Sequence, residues 1–185
     1  SGESKIPAYL QPIKRVFLEP NDVKTLPDTI AAINKADVIV VGPGSLYTSI
    51  LPNLLVKDIK KALMASEAKK IYICNLMTQA GETYHYTASD HVQALYDHVG
   101  EDFLDAILVG KIQFPPSVVE RYKKERAWPV EYDEEHLRKM GLEVYKEEIT
   151  NIFGEAVRHE PMKVAEWLFG YAGGLAKEDS KHLYF

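Results

Sequence analysis

The residues that can do chemistry fall into three groups. The first is Gly42-Pro43-Gly44-Ser45, with Tyr47, Thr48 and Ser49 just beyond. Two glycines permit backbone dihedrals that other residues resist, and the proline between them stiffens the turn. The loop amides, with the hydroxyls of Ser45, Thr48 and Ser49, can cradle a phosphate. They equally suit a tight strand-to-helix connection with no ligand. No lysine follows the glycines, and the spacing is neither that of a Walker-type loop nor the dinucleotide fingerprint. A phosphate here would rest on amides and hydroxyls. The second group is Asn75, Thr78, Gln79, Glu82 and Thr83, whose amides and hydroxyls offer donors and acceptors for a base, sugar or phosphate, or else order their own loop. Glu82 is the only ionisable residue of the five. The third group is C-terminal. Arg158-His159 stands just before a helix opening at Pro161, and a guanidinium beside a helix N-terminus suits an anion or a salt bridge. Tyr122, between Arg121 and Lys123, can stack on a base or simply pack.

Asp90-His91 opens a helix, where an acidic residue complements the helix dipole whatever else it does. His91 and His98 are seven residues apart on one face, but no third ligand accompanies them, so no protein-held metal is expected. His85, between two tyrosines, is ambiguous. A Ser–His–Asp hydrolase needs a nucleophile elbow, which this sequence lacks.

The elements that position these groups follow from patterning. Val38 to Val41 is a short β-branched run, the signature of a strand buried on both faces of a parallel sheet. Its carboxyl end is the glycine loop, the place where open α/β sheets bind ligands. Thr25 to Ala36 reads as a helix capped by Thr25, with Pro27 in its first turn. Arg15 to Leu18 is a short strand candidate, and residues 1–12 read as an entry loop. Leu51 to Leu55 reads as an inward-packing turn and Val56 to Met64 as an amphipathic helix. Lys70 to Cys74 is the next strand, which completes a βαβ unit. Asn75 to Tyr86 is a second loop at a strand end. Thr87 to Val99 is a helix with Thr87 and Asp90 as a capping box, and Ala106 to Val109 is another buried strand.

Beyond Pro115 the pattern becomes more polar. It contains a charged helix to about Arg126, an extended piece at 129–132, a helix at 133–140, a strand candidate at 143–145 and a last helix from Glu160-Pro161 to about Phe169. The expected organisation is a βαβ core over 1–112, a smaller α+β lobe over 113–170, and a tail over 171–185.

Composition narrows the class. The chain has 185 residues, 46% of them hydrophobic and 26% charged, with a net charge of −5. That is enough for a substantial core, and it lacks the basic footprint that nucleic acid or anionic membrane requires. No apolar run approaches the ~20 residues of a membrane span. The single cysteine, Cys74, lies in the strand expected at 70–74 and reads as core filler; a lone thiol fits a reducing cytoplasm, the expected location.

Three segments together carry a resemblance: G-P-G-S-L-Y-T-S-I-L-P-N-L-L-V at 42–56, N-L-M-T-Q-A-G-E-T at 75–83 and Y-T-A-S-D-H-V at 86–92. In this order they resemble the bacterial gluconeogenesis-factor family, within the CofD-like superfamily of 2-phospho-L-lactate transferases, from about Gly2 to Leu168. The resemblance implies a three-layer, mostly parallel α/β sheet of Rossmann-like type that binds a nucleotide or nucleotide-sugar across its strand ends. Such proteins usually begin with a strand and a Gly-Gly-Gly-Thr-Gly loop. Nothing here matches that loop, so the chain is expected to be the C-terminal part of a longer protein whose N-terminal segment supplies half the phosphate site. Carried over by motif are Gly42, Gly44, Ser45, Asn75, Thr78, Glu82 and Asp90, with Thr48 and Gln79 beside them. Tyr122 and Arg158 fall where base, sugar or diphosphate contacts are expected, and Asp133 at a recurring acidic position of unknown role.

The function implied is a UDP-sugar-binding regulator of carbon metabolism and cell morphogenesis during gluconeogenic growth. The alternative is a transferase that moves a phosphoester group from a nucleoside-diphosphate donor. No tightly bound cofactor is expected beyond magnesium accompanying a nucleotide, and no catalytic residue is assigned. The expected partners are the nucleotide ligand, the missing segment and a second copy in a homodimer, with neither nucleic acid nor membrane among them.

Overall fold

The computed structural model describes residues 13–111, 113–154 and 156–181; the entry loop expected over 1–12 lies outside them. The order is α1 (Pro27–Lys35), β1 (Val38–Val41), a π-helical turn (Leu46–Ile50) running into α2 (Leu51–Leu54), α3 (Lys57–Ala65), β2 (Lys69–Ile73), α4 (Ala88–Val99) and β3 (Ala106–Gly110). Then come α5 (Pro116–Lys124), α6 (Glu134–Lys139), β4 (Glu143–Glu147), β5 (Thr150–Phe153), β6 (Ala156–His159) and α7 (Pro161–Lys181).

β1 to β4 form one parallel sheet in the order β1-β2-β3-β4, with Val41 opposite Tyr72 and Ile71 opposite Ala106. Side chains alternate across a strand, and the two inner strands use both faces. Tyr72, Ile107 and Val109 enter a large core with Leu46, Leu51, Val92, Leu95 and Leu137. Ile73 and Leu108 enter a second core with Ile149 and Val164, against which Trp167 and Leu168 of α7 pack. Helices thus cover the sheet on two sides, giving the three-layer α/β arrangement.

Several expectations are corrected. Residues 15–18 pair with no strand among the described residues. The backbone amide of Val16 instead donates to His98 Nε2 at 3.1 Å, while His98 Nδ1–H donates to the Ala94 carbonyl at 2.7 Å. That fixes the neutral tautomer of His98. Thr25 does not cap α1; the cap position is Leu26, and no side chain bonds there. Among the described residues β1 is an edge strand: Val41 is buried, but Val40 is 39% exposed. Continuous apolar character signals a strand but does not say which face is covered.

β4, which lies beyond Pro115, pairs with β3 along five residues, Ala106 opposite Glu143 through Gly110 opposite Glu147. The β5–β6 hairpin carries little apolar alternation in its sequence; Thr150–Phe153 nonetheless pairs antiparallel with Ala156–His159, Thr150 opposite His159. The final helix does not stop near Phe169 but continues through Gly173-Gly174 to Lys181.

α4 follows the sequence most closely. Thr87 Oγ1 accepts from the Asp90 amide, the Asp90 carboxylate accepts from the Thr87 amide at 2.8 Å, and the helix closes on Gly100 at φ 86°. The capping box satisfies two amides that a helix start otherwise leaves without partners.

Candidate functional site

β1 and β2 end side by side, and a cleft of about 670 Å³ opens beyond their carboxyl ends. One wall comes from the loops that follow the strands: Gly44 and Ser45 after β1, and Asn75, Thr78, Gln79 and Glu82 after β2. The facing wall comes from α5 and the hairpin, with Tyr122, Arg158 and His159. Eight of the expected site residues therefore meet in one place: Gly44, Ser45, Asn75, Thr78, Gln79, Glu82, Tyr122 and Arg158.

Three do not line it. Gly42 lies behind the loop at φ +82°, where an added Cβ would stand 3.0 Å from the Ile73 carbonyl oxygen. Glycine is required there by close approach and by backbone conformation. Thr48 directs its hydroxyl to Glu82 Oε1 at 3.3 Å. Asp90 closes the capping box of α4. Asp133 also acts at a helix start: it sits at the N-cap position of α6 and accepts from the Ser89 amide at 3.0 Å and from the Ser89 hydroxyl.

The hydrogen bonds separate residues that build the cleft from those that can meet a ligand. Glu82 is 7% exposed, and its Oε2 accepts from the Tyr47 amide at 3.3 Å. With the Thr48 bond, this carboxylate occupies the N-terminal end of the helical run 46–54. A helix N-terminus attracts anions. Here the anion is the protein's own side chain, so the phosphate-cradle expectation is changed at this point. Thr78, 3% exposed, is fixed against Trp128, whose amide donates to Thr78 Oγ1 at 2.9 Å while the Thr78 amide donates to the Trp128 carbonyl at 2.7 Å. Gln79 Nε2 donates to Ser45 Oγ at 2.9 Å and joins the two loops.

What is left for a ligand is well defined. The Gly44 and Ser45 amides and the Asn75 side-chain amide have no protein partner among the described residues. Ser45 keeps its hydroxyl proton to donate. Tyr122 Oη accepts from the Val157 amide at 2.9 Å and retains its own proton. Arg158 is exposed, and among the described residues no carboxylate pairs with it; Nη1 reaches only the Val157 carbonyl at 3.5 Å. Amides and hydroxyls on one wall and a cation on the other suit an anion with a polar body.

His159, named in the sequence only as the neighbour of Arg158, also lines the cleft. Its Nε2–H donates to the Cys74 carbonyl at 3.0 Å, and burial, opposed by this bond, lowers its pKa. Cys74 itself is buried in the core, and burial pushes its thiol up to about 12, as a core filler requires.

Comparison with known proteins bears on the family and the fold. The pattern of the family described as 2-phospho-L-lactate transferase CofD matches residues 1–150. The chain is 53% identical over 168 residues to the gluconeogenesis factor of Bacillus subtilis, covering 91% of this chain and 53% of that protein. It is 41% identical over 167 residues to the gluconeogenesis factor of Listeria innocua, covering 90% and 51%. A crystal structure of a Bacillus halodurans protein, 49% identical, superposes with a TM-score of 0.87 over 91% of this chain and 54% of that one. The chain thus spans about half the length of the curated relatives it matches. Since the family pattern covers both cleft loops, α5 and the fourth strand of the sheet, the chain belongs to the CofD family.

Proposed function

We propose that this chain is part of a gluconeogenesis factor and binds a nucleotide-sugar, with UDP-sugars the leading class, as a regulator of carbon metabolism and cell morphogenesis in the cytoplasm. The relatives' names support the gluconeogenic role. The observation that carries the ligand reading is the two-walled cleft, where Gly44, Ser45 and Asn75 face Tyr122 and Arg158. A diphosphate would lie between the amides and the guanidinium, and the ring-bearing ends would meet Tyr122 and Asn75.

The family's description supports a second reading, transfer of a phosphoester group from a nucleoside-diphosphate donor. The two readings differ in the fate of the ligand. Magnesium suits hard oxygen donors, several of them carboxylates or phosphates. Two carboxylates line the cleft, Glu82, engaged by Tyr47 and Thr48, and the exposed Glu125, while Asp90 is held in the α4 cap. The cleft's own donors do not fit a protein-held ion, and a magnesium ion here would travel with the ligand's phosphates.

The test is calorimetric titration of the whole protein with UDP-N-acetylglucosamine and with GDP, each with and without magnesium, followed by mass analysis of the ligand. UDP-sugar binding that is weakened in Arg158→Ala and leaves the ligand intact supports the regulator. Magnesium-dependent GDP binding with loss of an intact donor overturns it in favour of the transferase.

A further inference from the structure

Among the described residues no side chain holds Arg158 over the cleft, yet its backbone is held on both sides. One residue before it, the Val157 amide donates to Tyr122 Oη at 2.9 Å. One residue after it, His159 Nε2 lies 3.0 Å from the Cys74 carbonyl oxygen at the end of β2. The first bond ties β6 to α5 and the second ties it to the central sheet. A carbonyl oxygen can only accept, so His159 Nε2 carries the proton.

We propose that His159 is a positioning residue of this cleft: through its bond to Cys74 it fixes β6, and with it the location of the Arg158 guanidinium, relative to the strand-end loops. The inference rests on the reading of the cleft as a nucleotide-sugar site. The rest of the structure explains why such a clamp is needed. Among the described residues β5 and β6 pair with each other and not with the four-stranded sheet. Two further bonds, the Glu160 amide to the Ile149 carbonyl at 2.7 Å and Asn151 Nδ2 to Glu160 Oε2 at 2.6 Å, close the hairpin on itself, while Thr150 Oγ1 donates to the Lys111 carbonyl at 3.3 Å and so anchors β5 rather than β6. Val157 and Ile149 are buried and give the hairpin an apolar footing. Apolar contact is non-directional, whereas the His159 bond has a defined direction.

Substitution separates this role from packing. In Gln the amide nitrogen can stand near the Nε2 position and donate to Cys74, whereas Ala has no donor. The experiment measures UDP-N-acetylglucosamine affinity of the whole protein as wild type, His159→Ala, His159→Gln, Arg158→Ala and the His159→Ala/Arg158→Ala double variant. Amide hydrogen exchange over 156–159 is measured in parallel. One neutral hydrogen bond predicts binding about five- to tenfold weaker in His159→Ala, with most of the loss recovered in His159→Gln. In the Arg158→Ala background the His159→Ala change then has no further effect, because the residue acts through the arginine. Exchange over 156–159 is faster in His159→Ala and near wild type in His159→Gln. Additive losses in the double variant overturn the inference, as does unchanged exchange in His159→Ala. Failure of wild type to bind any UDP-sugar refutes the ligand reading alone, and the exchange comparison still decides whether His159 holds the hairpin.

Discussion

Replacing Glu82 tests whether the helix N-terminus in this cleft is filled from within. The carboxylate is 7% exposed and accepts from the Tyr47 amide and the Thr48 hydroxyl, both at 3.3 Å. Hydrogen bonds to a charged group contribute about 1.5–3 kcal/mol each, and the long distances place these near the lower figure. Glu82→Ala removes both and leaves the buried Tyr47 amide without this acceptor, a combined loss of about 3 kcal/mol. For a domain of this size, ~3 kcal/mol lowers Tm by roughly 6–12 °C. Glu82→Gln keeps the volume and one acceptor but turns an NH2 group toward a donor, so about half that loss is expected. The assay is thermal unfolding of the whole protein followed by circular dichroism, with UDP-N-acetylglucosamine titration alongside. If Glu82 is the structural anion, both variants lose stability and neither binds ligand more tightly. A Tm change under about 2 °C in Glu82→Ala, or tighter UDP-sugar binding in Glu82→Gln, would refute the reasoning: the helix N-terminus would then belong to the ligand and Glu82 would merely obstruct it.

Three further outcomes follow from individual residues. His91 is fully buried, its Nδ1–H donates to the Thr87 carbonyl at 2.7 Å, and burial, opposed by that bond and by Asp90, lowers its pKa. The fold therefore keeps it neutral, while the unfolded chain takes up a proton near pH 6.5. Stability is full above about pH 7 and declines as pH falls through 6.5, with a slope of up to about 1.4 kcal/mol per pH unit for this group and the same sign for His159. Urea midpoints between pH 7.5 and 5.5 should fall less steeply in His91→Gln, and an unchanged slope would contradict the assignment. Cys74, 2% exposed with its thiol raised to about 12 by burial, should resist a thiol-reactive disulfide reagent at pH 8 until urea unfolds the protein; rapid native labelling would show the strand end opening. Gly42→Ala and Gly141→Ala both place a side chain at positive φ, but only the first meets a neighbour, the Ile73 carbonyl at 3.0 Å, while nothing lies within 4 Å of the second. Conformation alone costs about 1–2 kcal/mol, so Gly141→Ala measures that term and Gly42→Ala should exceed it; equal Tm losses would dismiss the close approach.

Much of the sheet was legible because its signals are local. β-branched runs ending in polar, glycine-bearing loops located β1 and β2, and Thr87 with Asp90 announced the start of α4. The resemblance of three segments grouped the correct loops at the correct strand ends. Non-local features were not legible. Nothing in Glu82 itself indicates that its oxygens meet Tyr47 and Thr48, 35 and 34 residues earlier. β5 and β6 carry Asn151, Arg158 and His159 on strands of four residues each, too short and polar for alternation to register. A strand candidate was visible at 143–145, two residues short of the strand formed, but its place beside β3 depends on pairing, which a polar sequence such as Glu143-Val144-Tyr145-Lys146-Glu147 does not reveal.

The engagement of Glu82 also accounts for the composition of the glycine loop. A Walker-type loop places a lysine beside its helix N-terminus because the phosphates that bind there bring several negative charges. In this chain the helix N-terminus already faces one carboxylate, and a second anion close to it would be repelled. Neutral donors, the Gly44 and Ser45 amides and the Ser45 hydroxyl, are what that wall can offer, and the cation has to come from elsewhere. In the proposed reading it comes from Arg158, on a hairpin hydrogen-bonded to Tyr122 and, through His159, to Cys74. Anion recognition, so read, is divided between two separate elements. Affinity then depends on how well the hairpin holds its position as much as on the groups that touch the ligand.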